Sequence, residues 1–435
     1  MGLFGGNGMV KVNIGFLGCG NIGSGVYKIL GENRDRIKSN DNVDLNITRV
    51  LVRDINKKRN IDIKQDILTD NPMDIINDDS ISVVAEFMGG IDPAREYILA
   101  ALNNKKSVVT ANKEVLARYW HEFNEAAKQN GVGLYYEASV AGGIPIIKVM
   151  HESLQANNIK EILGIINGTT NFILTKMEEE GIDFKVALTE AQRLGYAEPD
   201  PTADIEGYDA MYKLSILSSI AFNTRIHIDD IYREGITKIT AEDTYYGREL
   251  GYALKLLAIA RKEGDIIEAR VHPAFIPIKH PLASVRDSYN AVYIQGDSVG
   301  SLMLYGRGAG DMPTGSAIVS DIITACHRTG RHKYMPFNNQ ESEIKQVQFN
   351  KDWKTGFFVR LTVKDKPGVL AHIAGIFGKY SVSIESVIQK GRGDRGVPLI
   401  FVTHKAGELS MKKAIKEVEL INDVVRVENL IRVHQ

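Results

Sequence analysis

The chain has few cysteines and no long apolar run. Its two cysteines, Cys19 and Cys326, cannot build a disulfide framework. No segment reaches the roughly 18 consecutive apolar residues that a membrane-spanning helix needs. The Gly-rich start, Met1–Gly8, lacks the basic region and apolar core of a secretory signal. We therefore expect reduced thiols, a cytoplasmic location and no membrane partner.

An excess of charge of either sign is also missing. The chain carries 53 Lys and Arg against 54 Asp and Glu, a formal net charge of -1, without a long basic run. A nucleic-acid partner is therefore not expected. Hydrophobic residues make up 44% and charged residues 25%, as in ordinary globular proteins. The 435 residues are enough for several domains of roughly 100–200 residues each.

What is present first is an alternation of short apolar strands with helical stretches. This order is typical of an α/β fold with a parallel sheet, and it predicts a Rossmann-type, doubly wound nucleotide-binding domain over residues 10–140. The predicted strands are Val12–Leu17, Ile47–Val52, Ser82–Phe87, Ser107–Thr110 and Val132–Glu137, and helices are predicted at Asp92–Leu102 and Lys113–Gln129.

The first strand runs directly into Gly18-x-Gly20-x-x-Gly23, and a helix follows. In a dinucleotide fold Gly18 permits the tight turn, Gly20 lets the backbone approach a pyrophosphate, and Gly23 packs the helix on the strand. The helix N-terminus adds free N–H groups and a partial positive charge. The motif alone is short, but its position after a strand and before a helix indicates dinucleotide binding.

The end of the second strand bears on the choice of dinucleotide. Arg53 stands where it can pair with a 2′-phosphate, which favours NADP(H). Asp54 could instead serve the ribose hydroxyl of NAD(H) if the register shifts by one residue. For Lys57–Arg59 a solvated loop is the simpler interpretation.

The richest polar stretch runs from Ala191 to Lys213. Pro199 and Pro201 forbid a helix over its first part, so Glu198 is expected in a rigid loop. A helix is predicted to begin at Tyr208 and to continue through Lys213.

On that helix Asp209 and Lys213 are four residues apart and share one face. Hydride delivery to an aldehyde needs a positioned acid, and a lysine in a closed pocket can supply the proton. The ammonium group of an amino-acid substrate needs an acceptor such as Glu198 or Asp209. Taken alone, an Asp–Lys pair at this spacing is more often a surface ion pair.

This stretch resembles the signature of homoserine dehydrogenases, at Ala191, Gly195, Pro201, Asp204, Gly207, Asp209 and Lys213. Three further segments agree with that family: Thr110–Lys113, Glu137–Pro145 and Asn167–Asn171. The resemblance covers roughly residues 10–330. It implies reduction of L-aspartate 4-semialdehyde to L-homoserine and the reverse reaction, in threonine and methionine biosynthesis.

The resemblance also implies roles for individual residues. The catalytic residues would be Lys213, which exchanges the proton, with Lys113 and Asp209. The substrate would be bound by Gly195, Glu198, Asp204, Asp209 and Thr169. The cofactor would be bound by Phe16, Gly18, Gly20, Asn21, Ile22, Gly23, Arg53, Thr110, Lys113 and Gly310. For Lys113 a solvent-facing position at the start of a helix is the alternative.

The loop from Glu137 to Ile144 resembles the family's site for a monovalent cation, sodium. One carboxylate, from Glu137, and the carbonyl groups of Val140, Gly142 and Ile144 would be the ligands. The alternative from the residues alone is an ordinary loop in which Glu137 caps the backbone. The chain has no His or Cys cluster suited to a transition metal.

The remaining domains follow from changes in pattern. Residues 141–310 are predicted to form an α+β catalytic and dimerisation domain, and residues 311–330 a segment returning to the nucleotide-binding domain. The Gly-rich stretch Gly306–Gly315 is read as a loop before a helix at Ser316–Thr329. Residues 331–353 are polar and non-periodic, and are the best candidate for a linker.

Residues 354–435 read as a ferredoxin-like βαββαβ unit. The strand Phe357–Val363 and the turn Lys364–Leu370 resemble an ACT domain, whose strand-to-helix loop commonly binds an amino acid; Asp365 and Gly368 are the candidates. The resemblance implies threonine as a feedback effector and a homodimer or homotetramer. A dimerisation domain without ligand is the alternative.

Two other functions compete with this interpretation. A non-catalytic nucleotide sensor would not need Lys213, Asp209 and Glu198. An aspartate-semialdehyde dehydrogenase would need a nucleophilic cysteine, whereas Cys19 lies in the phosphate loop and Cys326 in a predicted helix.

Overall fold

A computed structural model describes residues 9–59, 61–327, 347–390 and 396–434. Its N-terminal part is a six-stranded parallel sheet in the order β3-β2-β1-β4-β5-β6 with helices on both faces, which confirms the Rossmann-type prediction. The elements are β1 (Val10–Leu17), α1 (Asn21–Glu32), α2 (Arg34–Asp41), β2 (Val43–Leu51), β3 (Leu68–Thr69), α3 (Met73–Ile76), β4 (Ile81–Glu86), α4 (Ala94–Asn103), β5 (Ser107–Thr110), α5 (Lys113–Asn130) and β6 (Leu134–Tyr135).

The last predicted strand of this sheet is wrong over most of its length. Strand β6 has only two residues, and a 3-10 turn at Glu137–Ser139 follows where the strand was expected to end. The Glu137 carboxylate accepts hydrogen bonds from the backbone N–H groups of Ile147 and Lys148, at 2.8 and 2.7 Å. These bonds draw the chain away from the sheet edge.

The middle part of the described chain is built around long antiparallel strands. They follow the order β12-β11-β7-β9-β10, and the short strand β8 pairs with the outer edge of β10. The elements are α6 (Ile146–Lys148), continued by a π-helical turn at Val149–Ser153, β7 (Ile159–Ile165), α7 (Gly168–Glu180), α8 (Phe184–Arg193), α9 (Thr202–Ile205), α10 (Tyr208–Phe222), β8 (Tyr232–Arg233), α11 (Ala241–Glu249), β9 (Tyr252–Glu263), β10 (Ile266–Pro277), β11 (Tyr289–Gly296), β12 (Gly300–Arg307) and α12 (Asp311–His327).

Helix α12 returns to the nucleotide-binding domain and packs against α1. It begins at Asp311, five residues before the predicted start at Ser316. Pro313 lies in its first turn, where a missing N–H group costs little because those groups have no helical partner. A Cβ atom at Gly25 would lie 2.4 Å from the Asp311 carbonyl oxygen, so the two helices can approach closely only at a glycine. Residues 328–330 of the predicted return segment lie outside the described residues.

The C-terminal part is a βαββαβ unit with strand order β18-β14-β16-β15, which confirms the ferredoxin-like prediction. The elements are β13 (Gln348–Phe349), β14 (Lys354–Val363), α13 (Val369–Lys379), β15 (Ile384–Gln389), β16 (Val397–Thr403), β17 (Ala406–Gly407), α14 (Glu408–Val418) and β18 (Val424–Val433).

Strand β18 also pairs with β10, so the C-terminal sheet continues the middle sheet edge to edge. Residues 331–346 of the predicted linker lie outside the described residues, but residues 347–353 are part of the fold. Strand β13 pairs with β10, and Trp353 is only 3% exposed. Among the described helices, none combines the length and apolar character needed to cross a bilayer.

Candidate active site

The turn from β1 to α1 leaves room for a phosphate group. Gly18 has φ +100°, a conformation that other residues rarely adopt. A Cβ atom at Gly20 would meet nothing within 4 Å, whereas one at Gly23 would lie 3.0 Å from the Phe87 ring and 3.1 Å from the Gly18 carbonyl oxygen. The turn is therefore open on one side and closely packed on the other, which fits a dinucleotide pyrophosphate.

The N-terminus of α1 provides the charge that such a ligand needs. The helix begins at Asn21, and Gly20 offers no side chain to cap it. No acidic residue stands in its first turn. The first N–H groups and the positive end of the helix dipole are thus directed at the open side of the turn.

Two side chains among the expected cofactor contacts are committed elsewhere. Phe16 is fully buried and packs edge-on against Phe87, with ring centroids 5.1 Å apart. The Thr110 hydroxyl donates a hydrogen bond of 2.6 Å to the buried Glu86 carboxylate. Phe16 and Thr110 can therefore contact a cofactor only through their backbone atoms. The Ile22 side chain, at the start of α1, is only partly buried.

Sequence analysis did not single out Glu86, which organises this edge of the sheet. Its carboxylate also accepts a 2.6 Å hydrogen bond from the Met88 backbone. Burial raises the pKa of Glu86 although these hydrogen bonds oppose the shift. An acidic residue ending an apolar strand was the available signal.

Arg53 lies just after β2, at the carboxyl edge of the sheet, and is exposed. Its neighbours in the loop are occupied with each other. The Arg59 guanidinium donates to the carbonyl groups of Asp54 and Lys57, and the Asp54 carboxylate accepts from the Asn56 backbone. Arg53 is therefore an exposed cation at the end of β2, and Lys57 and Lys58 are exposed in the same loop.

At the centre of the cleft Lys213 is buried, with 11% of its side chain exposed. Its Nζ atom donates to Asp209 Oδ2 at 2.7 Å and to the Ile166 carbonyl oxygen at 2.8 Å. An ammonium group has three N–H donors, and among the described residues no third acceptor is in contact. One N–H of Lys213 is thus available to a substrate oxygen.

Asp209 is held between two ammonium groups. Its Oδ1 atom lies 3.2 Å from the Lys113 Nζ atom, opposite the Lys213 contact. Burial would raise the pKa of Asp209, but Lys213 and Lys113 together hold this pKa well below its usual range. The charge of Asp209 in turn raises the pKa of Lys113, against the effect of burial. We therefore expect Asp209 to be ionised when both lysines are charged.

Asn167 connects the acidic residues and was missed as a functional residue. Its Nδ2 atom donates to Asp204 Oδ1 at 2.6 Å and to Asp209 Oδ2 at 2.9 Å. Its Oδ1 atom caps α7 by accepting from the Thr170 backbone at 2.8 Å. Burial, and then the nearby Asp209, raise the pKa of Asp204. The Asn-Gly-Thr sequence, a typical helix start, was the signal for the cap only.

Of the remaining expected substrate residues, Gly195 and Glu198 lie on the loop between α8 and α9, and Thr169 lies in the first turn of α7. Gly195 has φ +79° and is exposed, as is Glu198, whose charge acts on Lys113. The Thr169 hydroxyl donates to the Tyr196 carbonyl oxygen at 2.6 Å. Thr169 therefore anchors the loop that carries Gly195 and Glu198.

The expected cation ligands lie together in the loop after β6. The Glu137 carboxylate is buried, and in the described chain neither the Val140 nor the Gly142 carbonyl accepts a backbone hydrogen bond. Gly142 has φ +50° and lies against the Gly308 carbonyl. These oxygen donors suit a hard cation of low charge, although Glu137 also caps the chain at Ile147 and Lys148. Within the described ranges no cluster of three His, Cys, Asp or Glu side chains is placed to hold a metal.

Gly310 lies in the turn that connects β12 to α12. It has φ +120°, which only glycine adopts readily, and it precedes the first residue of the helix. A Cβ atom there would lie 3.2 Å from Pro313. The loop expected at Gly306–Gly315 is thus shorter than predicted, with its turn at Gly308–Gly310.

Comparison with known proteins gives a consistent result over the whole chain. Residues 145–323 match the family model described as homoserine dehydrogenase, residues 18–137 its NAD-binding domain, and residues 357–419 the ACT domain. A homoserine dehydrogenase of Bacillus subtilis is 39% identical over 434 residues, covering 98% of this chain and 99% of the relative.

Solved structures agree. A homoserine dehydrogenase from Thiobacillus denitrificans superposes with a TM-score of 0.91 at 40% identity, covering 98% of this chain and 99% of that one. A hyperthermophilic archaeal homoserine dehydrogenase in complex with NADPH has a TM-score of 0.63 at 29% identity, covering 73% of this chain and 98% of that one.

Proposed function

The chain belongs to the homoserine dehydrogenase family and is an NAD(P)-dependent oxidoreductase acting on a CH–OH group, and from that premise we propose that Lys213 is its proton donor and acceptor. The reaction is the interconversion of L-homoserine and L-aspartate 4-semialdehyde, in threonine and methionine biosynthesis. The observation that carries the assignment is the unused N–H of the buried Lys213.

In the direction of reduction, the ammonium of Lys213 donates a proton to the aldehyde oxygen as the carbon becomes an alcohol. In oxidation the neutral amine takes the proton from the hydroxyl group. A bound nicotinamide supplies or accepts the hydride. Asp209 orients Lys213 and stabilises its charged form. Lys113, on the other side of Asp209, adds a second positive charge beside the reacting oxygen.

The amino-acid end of the substrate carries an ammonium group and a carboxylate. Glu198 is exposed in the loop anchored by Thr169 and acts on Lys113, so its carboxylate is the acceptor for the ammonium group. Asp204 and the Gly195 backbone complete the substrate contacts. Asn167 keeps Asp204 and Asp209 in place by donating to both.

The test replaces Lys213 with Met, which retains much of the side-chain volume. We expect kcat for homoserine oxidation to fall by about 10²–10⁴-fold, with nucleotide affinity unchanged. Lys176→Met is the matched control, because that lysine pairs with Glu180 on the outer part of α7; its kcat should stay at the wild-type value. A Lys213→Met enzyme with near-normal kcat would remove the proton-transfer role.

For the cofactor, we propose NADP(H) over NAD(H). Arg53 is exposed at the edge where the adenosine ribose binds in this fold, and its planar group suits a 2′-phosphate. The related archaeal enzyme solved with NADPH supports this choice. Rates of homoserine oxidation measured in parallel with each nicotinamide decide it, and a preference for NAD would overturn it.

We further propose that Glu137, Val140, Gly142 and Ile144 hold a sodium ion as structural support. The buried Glu137 carboxylate and the Val140 and Gly142 carbonyl groups, which accept no backbone hydrogen bond within the described residues, would provide ligands. The Ile144 carbonyl, the fourth ligand, also accepts a 2.7 Å hydrogen bond from the Ile146 N–H. Thermal unfolding measured in NaCl and in choline chloride of the same ionic strength tests this. The melting temperature should rise with Na⁺ in the wild type and not in Glu137→Gln.

The C-terminal domain is proposed to sense threonine through the loop containing Asp365 and Gly368, where Gly368 caps α13 with φ +89°. The supporting feature is a connecting segment, residues 232–240, that contacts both this domain and the cleft. On the domain side, Asn429 donates to the Lys238 carbonyl oxygen at 3.1 Å, and Arg360 donates to the Thr240 hydroxyl at 2.8 Å.

On the cleft side, the same segment meets α9. The Ile236 N–H donates to the Ile205 carbonyl oxygen at 2.8 Å, and the Thr237 hydroxyl donates to Glu206 at 3.1 Å. A Cβ atom at Gly235 would lie 2.3 Å from the Ile205 carbonyl oxygen, so the contact is close. Asp204 precedes Ile205 directly, and a shift of the connecting segment would therefore reach the substrate residues.

Homoserine oxidation assayed with and without L-threonine tests this regulation. We expect inhibition at millimolar L-threonine in the wild type and weaker inhibition in Asp365→Ala, with basal kcat retained. An intact enzyme that does not respond would remove the proposal.

We also propose a homodimer or homotetramer, which sedimentation equilibrium would distinguish from a monomer.

A further inference from the structure

Where the middle and C-terminal domains meet, two guanidinium nitrogens of a buried arginine have no hydrogen-bond acceptor among the described residues. Arg270, on β10, is 1% exposed, and its Nε and Nη1 atoms contact no acceptor among the described residues. The nearest acid is Glu268, whose Oε2 atom is 3.6 Å from Nη1, beyond hydrogen-bond distance. A buried guanidinium without acceptors is costly.

Three neighbours of Arg270 also have unpartnered buried polar atoms: Glu268 Oε2, His272 Nε2 and Trp353 Nε1. The Trp353 ring joins them, because the Arg270 guanidinium carbon is 4.9 Å from its centroid and the His272 ring stacks on it at 6.5 Å with an angle of 8°. We call Glu268, Arg270, His272 and Trp353 the Arg270 cluster.

A neighbouring arginine shows that the same region can satisfy a buried guanidinium fully. Arg432, on β18, is 3% exposed, and it donates to Glu408 through Nε and Nη2 and to Glu234 through Nη1. Carboxylates are therefore available at this junction, yet the one beside Arg270, Glu268, forms an ion pair at 3.6 Å without a hydrogen bond. The N–H groups of Arg270 Nε and Nη1 are thus available to a ligand.

The unpartnered atoms define what that ligand is. Arg270 and Trp353 present donors, which a carboxylate would accept. His272 presents an acceptor, since its Nδ1 atom bonds to the Pro273 carbonyl oxygen at 2.9 Å and burial lowers the pKa of the ring well below its usual value, so that Nε2 is unprotonated. Glu268 presents a second acceptor. A carboxylate and an ammonium group in one small molecule match this set.

We propose that the Arg270 cluster binds a free α-amino acid between the two domains, with its carboxylate on Arg270 and Trp353 and its ammonium group on His272 and Glu268. The proposal rests on the proposed function only in taking an amino acid as regulator. Arg270 stands opposite Tyr232 in the pairing of β10 with β8, where the connecting segment begins. Occupancy would therefore act on the segment that contacts α9.

Trp353 reports occupancy without an activity assay. The chain has two tryptophans, and Trp120→Phe leaves Trp353 as the single emitter. The full-length Trp120→Phe protein is titrated with L-threonine, L-homoserine and, as a carboxylate without an ammonium group, sodium acetate. We expect a saturable change with an amino acid, about tenfold or more weaker after Arg270→Met, and none with acetate at the same concentration.

Asp365→Ala is the matched control, since it alters the ACT loop and leaves the cluster intact; its titration should match the parent protein. Glu268→Gln, a smaller change, serves if Arg270→Met does not fold. Inhibition by threonine without any Trp353 response, and retained in Arg270→Met or Glu268→Gln, would overturn the inference and leave the proposed regulation standing. A Trp353 response that depends on the cluster, without inhibition by threonine, would support amino-acid binding at the cluster and overturn the proposed regulation. No response to any amino acid would mean that ordered water alone fills the cluster.

Discussion

The catalytic cleft and the junction with the C-terminal domain both bury charged side chains, but they use them differently. At the junction Arg360 and Arg432 have an acceptor for each nitrogen that faces the protein. In the cleft Lys213 keeps one N–H unused. When every N–H donor has a protein acceptor, the hydrogen bonds stabilise the fold. When one donor has no protein acceptor, as in Lys213, it can bind a ligand. The Arg270 cluster is unsaturated at the junction, and is therefore the exception there.

Removing one partner from the saturated network should produce the largest change in stability. Arg360→Met would leave Asp243, which is 0% exposed, without the 2.7 Å bond from Arg360 Nε. We expect a loss of about 3 kcal/mol in the free energy of unfolding, because an unpaired buried charge remains. Urea denaturation followed by circular dichroism measures it.

The same variant should leave kcat without effector within about twofold of the wild type, since Arg360 touches no residue of the cleft. Arg426→Met is the control, because the Arg426 side chain, which pairs with Glu428, is 72% exposed; no measurable change in stability is expected. A large fall in kcat for Arg360→Met at unchanged stability would contradict the division between the two regions.

The cleft should behave in the opposite way when its connecting residue is changed. Asn167→Asp retains the oxygen that caps α7 but replaces the donor to Asp204 and Asp209 with a third carboxylate. We expect kcat to fall by about 100-fold, because a third carboxylate repels Asp204 and Asp209 and disturbs the position of Asp209 beside Lys213. Activity should recover partly as pH falls and one of the three takes up a proton.

Asn167→Ser separates positioning from capping. Serine can cap the helix but does not reach both carboxylates, so we expect a fall in kcat of about tenfold, without the recovery at low pH. Steady-state kinetics between pH 5 and 9 check both variants. If Asn167→Asp keeps the wild-type pH profile, the residue has only a structural role.

The acid side of the stability curve should also distinguish the junction from the cleft. Glu408 is buried, which raises its pKa, but the hydrogen bonds and charge of Arg432 prevail and lower this pKa overall. A carboxyl group whose pKa is lower in the folded protein than in the unfolded chain stabilises the fold at pH values above its unfolded-state pKa. That stabilisation is lost as the pH falls through the folded-state pKa. Glu408→Gln should therefore be less stable by about 1–2 kcal/mol at pH 7 and should lose less stability on acidification. Urea midpoints at pH 7 and pH 4 measure the difference, and parallel losses in both proteins would refute it.

Local patterns predicted much of the fold because the relevant interactions are local. The order of strands and glycines predicted the Rossmann sheet, and helix α10 begins at Tyr208 as expected because Gly207 adopts φ +81° before it. The short β6 was not predictable, because it ends through hydrogen bonds to Glu137 from residues ten and eleven positions away. The pairing of β18 with β10 joins residues more than 150 positions apart and left no local pattern.

For the cleft, spacing along α10 predicted the contact between Asp209 and Lys213, now measured at 2.7 Å. The resemblance to a family, rather than spacing, suggested that Lys113 lies nearby, and it lies 3.2 Å from Asp209. The role of Asn167 as a donor to two carboxylates depends on α9 and α10 folding back onto the start of α7. The Arg270 cluster was not predictable at all, because an arginine within an apolar strand does not reveal whether it is paired.

The smallest effect is expected at Arg53, in the loop after β2, a third region of the molecule. This cation is exposed to solvent, unlike the charged groups of the cleft and the junction. Arg53→Ala should lower kcat/KM with NADPH by about tenfold and leave the value with NADH nearly unchanged, because only NADPH carries the 2′-phosphate. Water and salt screen an exposed cation, so the difference should shrink as ionic strength rises, unlike the effects in the cleft. Arg59→Ala is the control, since its guanidinium is already bonded to the carbonyl groups of Asp54 and Lys57. If Arg59→Ala and Arg53→Ala lower NADPH use equally, the loop attracts the phosphate by its overall charge, and a specific pairing at Arg53 is refuted.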